Sequence, residues 1–118
     1  MKNKTYDLEE RSRKFALGVR QLMKQLPRRL ETTDDIVQLI RSSGSVGANY
    51  IEANEYLGSK DFIFRLKIAR KEAKESHHWL ELIYALNTES IFAKDLGRLV
   101  QESMELVFIL SAMIRKVS

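Results

Sequence analysis

Apolar residues recur at steps of three and four along nearly the whole chain, which is the period of amphipathic helices. Short breaks at Pro27, Gly58 and Asn87-Thr88 divide the pattern into four stretches. Because short connections place neighbouring helices antiparallel, we predict an all-α fold. The expected architecture is an antiparallel up-down-up-down four-helix bundle, one domain over residues 1–118. The apolar positions of the four predicted helices are Leu8, Phe15, Val19, Leu22, Leu26; Ile36, Leu39, Ile40, Val46, Tyr50, Ala53, Leu57; Phe62, Leu66, Ala69, Ala73, Ser76, Leu80, Ile83; and Phe92, Leu96, Leu99, Ser103, Leu106, Leu110, Met113.

Polar residues before these stretches predict where the helices begin. Asp7 followed by Glu10 matches a capping box for the first helix. The run Thr32 to Asp35 supplies a cap and acidic first-turn residues for the second helix. Gly58 is a natural stop for that helix, and Ser59 is a natural cap for the third.

Composition excludes several classes of protein. The 118 residues include no cysteine, which excludes disulfides, thiolate metal sites and cysteine catalysis. No apolar run approaches the roughly 18 residues of a membrane span, and the first seven residues lack the apolar region of a secretion signal. We therefore expect a soluble cytoplasmic protein without a membrane partner.

The net charge of +4 is modest, but the cations are segregated. Residues 1–29 hold nine Lys/Arg against three carboxylates, and residues 60–74 hold six against two. Such clusters attract phosphate backbones without reading base sequence. The alternative is a solvated helix face with ordinary i,i+4 partners, such as Lys71 with Glu75. The candidate nucleic-acid-binding residues are Arg13, Arg20, Lys24, Lys67, Arg70, Lys71 and Lys74.

A polar stripe interrupts the second predicted helix. One face of this helix carries four polar residues at steps of four, four and three: Arg41, Ser45, Asn49 and Glu52. Gly44 and Gly47 lie among them, and such small residues would allow another backbone to approach closely. Counting outward from the Gly58-Ser59 turn predicts two ion pairs with the third helix. One joins Arg41 to Glu72 or Glu75, and the other joins Glu52 to Arg65. Such a network either fixes the register between helices or marks a binding cleft. The predicted network comprises Arg41, Ser45, Asn49, Glu52, Glu72 and Glu75.

The second half of the fourth predicted helix is apolar nearly all the way round. A peripheral helix of a monomeric bundle keeps one polar face. The excess predicts a second buried face and therefore self-association. The residues assigned to this oligomer interface are Val107, Phe108, Leu110 and Ile114.

Catalytic, cofactor-binding and metal-binding signatures are not evident in the sequence. A carboxylate-bridged di-iron bundle needs two Glu-x-x-His pairs, whereas this chain has one match, Glu75 to His78. His77 and His78 are adjacent, so on a helix they point about 100° apart and cannot share a ligand face. No glycine-rich phosphate loop or nucleophile elbow is present. We predict a protein that is not an enzyme and that has no cofactor, metal or catalytic residues.

Five segments of the chain form a recognisable set: Asp7-Leu8-Glu9-x-Arg11-x-x-x-Phe15-Ala16, Leu26-Pro27, the continuous run from Gln38 to Ala53, Ser59-x-Asp61-Phe62, and Lys71-Glu72-Ala73-x-Glu75-Ser76-x-x-Trp79-Leu80. In these segments the chain resembles the four-helix-bundle family encoded in intervening sequences of bacterial 23S ribosomal RNA genes. The most specific part is the pattern Arg-Ser-x-x-Ser-x-x-x-Asn-x-x-Glu, from Arg41 to Glu52.

The resemblance implies a bacterial cytoplasmic protein that assembles as a homopentamer and associates with RNA. A related branch of the family is the basic accessory protein of diversity-generating retroelements, which works with a reverse transcriptase and nucleic acid. Two hypotheses follow. The chain is either a non-catalytic oligomer that binds RNA or DNA backbone, or an adaptor or accessory subunit for a nucleic-acid enzyme such as a reverse transcriptase.

Overall fold

Four helices make up the fold in a computed structural model that describes residues 4–55 and 57–118, with side chains from residue 8 onward in those ranges. The helices are α1 (Lys4–Gln25), α2 (Leu30–Asn54), α3 (Ser59–Ala85) and α4 (Ala93–Val117). The described ranges contain no β-strand. These elements confirm the prediction of an all-α four-helix fold. None of the four helices has an apolar stretch long enough to cross a bilayer.

Contacts between the helices establish their order around the bundle. In the described ranges α1 packs on α2 and α4, α3 packs on the same two helices, and no Cα atoms of either diagonal pair come within 8 Å of each other. Arg41 meets Glu72 while Glu52 meets Arg65, so α2 and α3 run antiparallel. Arg70 meets Ser111 while His77 meets Ser103, which gives the same result for α3 and α4. The topology is up-down-up-down, as predicted.

The predicted apolar stripes form one core. Leu66, Leu80 and Ile83 of α3 are fully buried, and each such side chain contributes roughly 1.5–3 kcal/mol. Where α2 crosses α3, the Ser42 and Ser76 hydroxyls lie 2.8 Å apart in a fully buried hydrogen bond. One predicted core position is wrong: Leu57 follows the end of α2 and is 93% exposed.

Predicted helix starts were less accurate than predicted helices. α2 begins at Leu30, and its N-cap, Arg29, is extended and makes no side-chain capping bond. The capping assignment to Thr32–Asp35 is therefore wrong, since Thr32 is already inside the helix and buried in the core. α1 likewise begins at Lys4, before Asp7, whose side chain lies outside the described part.

The link between α2 and α3 depends on a glycine. Gly58 is the N-cap of α3 and has φ +122°, a backbone conformation that disfavours side chains. Ser59 is therefore the first residue of α3 and not its cap. Asp61 stabilises the turn, because its carboxylate accepts a hydrogen bond from the Leu57 amide at 3.2 Å.

Candidate nucleic-acid interface

A row of cations lies along the outer side of α3. Lys67, Arg70, Lys71 and Lys74, the α3 stripe, follow steps of three, one and three, so they share one side of the helix. They line a shallow groove of about 410 Å³ whose other walls are Glu75, His78 and Trp79.

The three lysines of the α3 stripe have no carboxylate partner. In the described part of the chain, no Asp or Glu lies within ion-pair distance of Lys67, Lys71 or Lys74. The ordinary i,i+4 pair of Lys71 with Glu75 is not formed, because Glu75 instead accepts from Arg41 at 3.5 Å. The charge of the stripe is therefore available to an external anion.

The predicted cations of α1 are placed differently. Arg13 pairs with Glu9 on its own helix at 3.4 Å. Arg20 reaches across to α2, where it donates to the carbonyl of Ile40 at 3.0 Å and the hydroxyl of Ser43 at 3.3 Å. Lys24 alone of the three has neither an ion pair nor a side-chain hydrogen bond with another described residue.

Lys24, Arg20 and Arg28 border a second groove, of about 430 Å³, between α1 and the start of α2. This groove has an apolar floor that includes Met23 and Ile36. Among the described residues the two grooves share no lining residue, and no Cα atoms of α1 and α3 come within 8 Å of each other. The fold therefore does not bring the two basic clusters together within one chain.

The polar stripe of α2 forms the two predicted ion pairs. Arg41 lies 3.4 Å from Glu72 and 3.5 Å from Glu75, and Glu72 is the one buried carboxylate of the network. Arg65 lies 2.7 Å from Glu52. The two ion pairs join α2 to α3 at two positions along their length, which fixes the register between these helices.

Ser45 and Asn49 do not join this network. Ser45 donates to the Arg41 carbonyl at 3.1 Å, and the Asn49 amide donates to the Ser45 carbonyl at 2.9 Å. Both side chains thus bond one turn back along their own helix. Their spacing placed them correctly on the face of Arg41, but spacing alone could not show that each would bond to its own backbone.

The glycines of α2 lie against side chains of α1, whereas their position in the sequence suggested the close approach of another backbone. A Cβ on Gly44 would lie 2.9 Å from a guanidinium nitrogen of Arg20, and a Cβ on Gly47 would lie 2.9 Å from the Ser12 hydroxyl. The small residues therefore admit polar side chains of α1. This close approach allows Arg20 to reach the α2 backbone.

The residues predicted for an oligomer interface divide between core and surface. Val107, Leu110 and Ile114 are at most 7% exposed and pack into the chain's own core, so the assignment of these three to an outer face needs correction. Phe108 is 56% exposed. An apolar helix gives no periodic signal of which side meets its own bundle, and this explains the error.

His77, Ser103 and Glu81 form a chain that superficially resembles a nucleophile with its base. His77 Nδ1 lies 3.0 Å from Ser103 Oγ, and His77 Nε2 lies 3.2 Å from Glu81. Ser103 is fully buried, however, and its hydroxyl donates to the Val100 carbonyl at 2.6 Å. A substrate has no access to this oxygen, so the hydrogen bond between His77 and Ser103 serves to join α3 to α4. In the described ranges no group of three His, Asp or Glu side chains is placed to hold a metal ion.

Sequence reasoning missed an ion pair that joins α1 to α4. Arg11 donates twice to Glu102, at 2.7 Å and 2.8 Å, in the bidentate geometry that favours arginine. Hydrogen bonding to Glu102, opposed by partial burial, raises the pKa of Arg11. No sequence signal connects residues so far apart along the chain.

Burial also raises the pKa of the core residue Tyr50, and this effect outweighs the opposing hydrogen bond from Asn54.

Residues 4–112 match the family described as 23S rRNA-intervening sequence protein. The chain belongs to this family. The match covers all of α1, α2 and α3 and most of α4. It agrees with the resemblance seen in the sequence, and in particular with the run from Gln38 to Ala53, which forms most of α2.

Among solved structures, this member of the family is similar to a protein of unknown function from the S23 ribosomal protein family of Bacteroides thetaiotaomicron. The two chains are 33% identical, with a TM-score of 0.82 over 96% of this chain and 99% of the other. No curated protein matches. The similarity supports the four-helix fold and its family, and leaves the activity to be proposed from the surface.

Proposed function

We propose that this chain is a non-catalytic, self-associating bundle that binds the phosphate backbone of RNA or DNA through the α3 stripe. The observation that carries the proposal is that Lys67, Lys71 and Lys74 have no carboxylate partner in the described part of the chain. Three unpaired cations on one side of a helix would release counterions from a nucleic acid. Arg70 adds a fourth charge, since among the described residues its side chain makes a single long hydrogen bond, of 3.4 Å, to the Ser111 hydroxyl.

The role of α1 in this proposal is smaller than the sequence suggested. Arg20 holds α1 against α2, and Arg13 is paired with Glu9. Lys24 keeps an unpaired charge, but it borders a separate groove. Within one chain the α3 stripe is therefore the proposed interface. Lys24 would extend it only if another copy brought the two grooves side by side.

Charge reversal of the stripe tests the proposal. The variant Lys67→Glu/Lys71→Glu/Lys74→Glu should lose binding to a fluorescent RNA or DNA oligonucleotide at low salt, measured by anisotropy. A matched control is Lys14→Glu/Lys94→Glu/Lys116→Glu, which changes the net charge equally at exposed lysines outside the groove. The control should retain most of the affinity. Equal losses in both variants would show non-specific attraction and overturn the assignment to the stripe.

Self-association is proposed from the outer side of α4. Phe108 and, one turn later, Ala112 are exposed there, where a helix of a monomeric bundle keeps polar residues. The family resemblance implies five copies. Sedimentation of the wild-type chain should therefore show a species well above 13.7 kDa.

Phe108→Glu should shift that species towards the monomer. Leu17→Glu, at a residue of α1 with similar exposure, provides the control and should leave the assembly intact. A wild-type monomer at micromolar concentration would overturn the proposal of self-association, and the nucleic-acid proposal would then have to be judged on the monomer.

A further inference from the structure

The α3 stripe runs towards two aromatic rings. We propose that the groove beside α3 takes unpaired nucleotides of a single-stranded nucleic acid, with a base stacked on His78 while its phosphates lie along the lysines. This inference rests on the proposed function and goes beyond it, because it selects single strands over duplexes. It follows from the groove lining, in which His78 and Trp79 continue directly from the cations.

The size and lining of the groove suit a nucleotide. Its volume of about 410 Å³ lies within the range of roughly 300–1,000 Å³ in which small-molecule sites occur. Cations supply contacts to phosphate, and aromatic rings supply the flat apolar surface that every base can use. The single carboxylate in the lining, Glu75, is held by Arg41, which reduces its repulsion of an incoming phosphate.

The geometry of the rings leaves His78 available. His78 is exposed, whereas Trp79 is half-buried and packs against the core. Their centroids are 4.7 Å apart and their planes are inclined by 66°, an edge-to-face contact. A single contact of this kind covers at most one face of the His78 ring, so the other face is open to a base. Trp79 is anchored in the core and so gives His78 a fixed support.

The spacing of Lys74 and His78 along α3 matches the distance between the phosphate and the base of one nucleotide. Lys74 and His78 are four residues apart, so they lie on the same side of α3 with a rise of about 6 Å between them. That distance suits a phosphate at Lys74 and its own base at His78. In a duplex the base faces are covered by neighbouring pairs, so no base can stack on His78. Lys71, one turn before Lys74, would meet the next phosphate of the strand.

Three probes of equal length and label test the inference by anisotropy at one low salt concentration. They are a single-stranded oligonucleotide, the same strand in a duplex, and an abasic single strand that has the phosphates without the bases. We expect the intact single strand to bind roughly tenfold more tightly than the abasic one, since stacking on an aromatic side chain has about this effect.

Substitutions at His78 separate stacking from charge. His78→Ala should reduce the affinity for the intact strand to that for the abasic strand, with no change for the abasic probe. His78→Phe should restore the preference for bases, because it keeps a ring and removes the imidazole nitrogens. The matched control is Leu82→Ala, an exposed, uncharged residue one turn further along α3 and outside the groove lining, which should change neither affinity.

The outcomes distinguish this inference from the proposed function. Equal affinity for all three probes, unchanged by His78→Ala, would overturn the stacking inference and leave backbone binding in place. No binding of any probe would overturn both. If His78→Ala instead breaks up the oligomer, the groove belongs to a contact between copies, and the inference is wrong.

Discussion

The two basic segments of this chain have the same threefold excess of cations over carboxylates, but their cations make different contacts in the fold. On α1, Arg20 donates to the backbone of α2 and Arg13 is paired with Glu9, so two of the three predicted cations serve the fold. On α3, the lysines at 67, 71 and 74 have no such partner in the described part of the chain. What differs is the direction that the residues face. Arg20 lies at the edge of a helix–helix contact, and the three lysines of the α3 stripe are exposed away from one.

The comparison shows that the net charge of a segment counts its cations but does not show how many of them remain unpaired in the fold. A cation near a second helix meets carbonyl groups at the other backbone or carboxylates of its neighbours. A cation on the outer side of a helix meets water, unless a carboxylate lies one turn away. In α3 the one candidate carboxylate, Glu75, is already held by Arg41. Neutralising the two clusters should therefore have opposite effects on stability.

The largest expected effect is that of Arg20→Gln. It removes the hydrogen bonds to Ile40 and Ser43, and charged hydrogen bonds of this kind contribute about 1–2 kcal/mol after discounting for exposure. We expect the free energy of unfolding in urea to fall by about that amount. Lys24→Gln, on the same helix and without an ion-pair partner, is the control and should have little effect. Equal effects of the two variants would contradict the assigned role of Arg20.

Gly47→Ala tests the close approach of α1 and α2. The new methyl group would lie 2.9 Å from the Ser12 hydroxyl, and overpacking costs about 1–3 kcal/mol. Better helix propensity offsets about 1 kcal/mol of that cost. We therefore expect a net destabilisation of about 1 kcal/mol by urea unfolding. In a Ser12→Ala background the same substitution should be less destabilising. An unchanged penalty in that background would show that Ser12 is not the obstacle.

Tyr50→Phe tests the burial of the α2 face that packs inside the bundle. Because burial raises the pKa of Tyr50, the folded state favours the neutral phenol. The stabilisation is complete below the unfolded pKa of about 10 and is lost as the pH rises above it. Between pH 8 and pH 11 the wild type should therefore lose more stability than Tyr50→Phe. The same pH dependence in both proteins would contradict the burial of the phenol, and Tyr84→Phe at an exposed tyrosine is the control.

The smallest expected effect has the opposite sign. Lys74 has Arg70 and Lys71 one turn before it and no carboxylate at the i±3 and i±4 positions, so its neighbours repel it. Lys74→Gln should raise the free energy of unfolding by about 0.2–0.5 kcal/mol at low salt. The gain should disappear at 1 M salt, where charges are screened. A loss of stability at low salt would show that Lys74 has a structural partner.

Much of the fold could be predicted because helical periodicity records burial directly. The α3 positions Leu66, Ala69, Ala73, Leu80 and Ile83 are all fully buried, as their heptad spacing indicated. Counting from one turn also located the partners of Arg41 and Glu52, since a short link between two helices fixes their register. Helix starts were harder, because a run such as Thr32–Asp35 can cap a helix or form its first turn.

The candidate site was only half predictable for a related reason. Sequence identifies which residues carry charge, but whether Arg20 stays free depends on Gly44 and on the Ile40 carbonyl of another helix. Likewise, Phe108 and Leu110 are equally apolar in sequence, and only the packing of α4 separates the exposed ring from the core side chain. Contacts between distant segments decide both cases.

The salt dependence of nucleic-acid binding tests the central claim most directly. If the α3 stripe neutralises three or four phosphates, a plot of log affinity against log salt should have a slope of about −3 for a duplex probe. Lys71→Gln should make that slope shallower by about 1, and Lys24→Gln should leave it unchanged. A flat response, or a slope that depends on Lys24 and not on Lys71, would contradict the account.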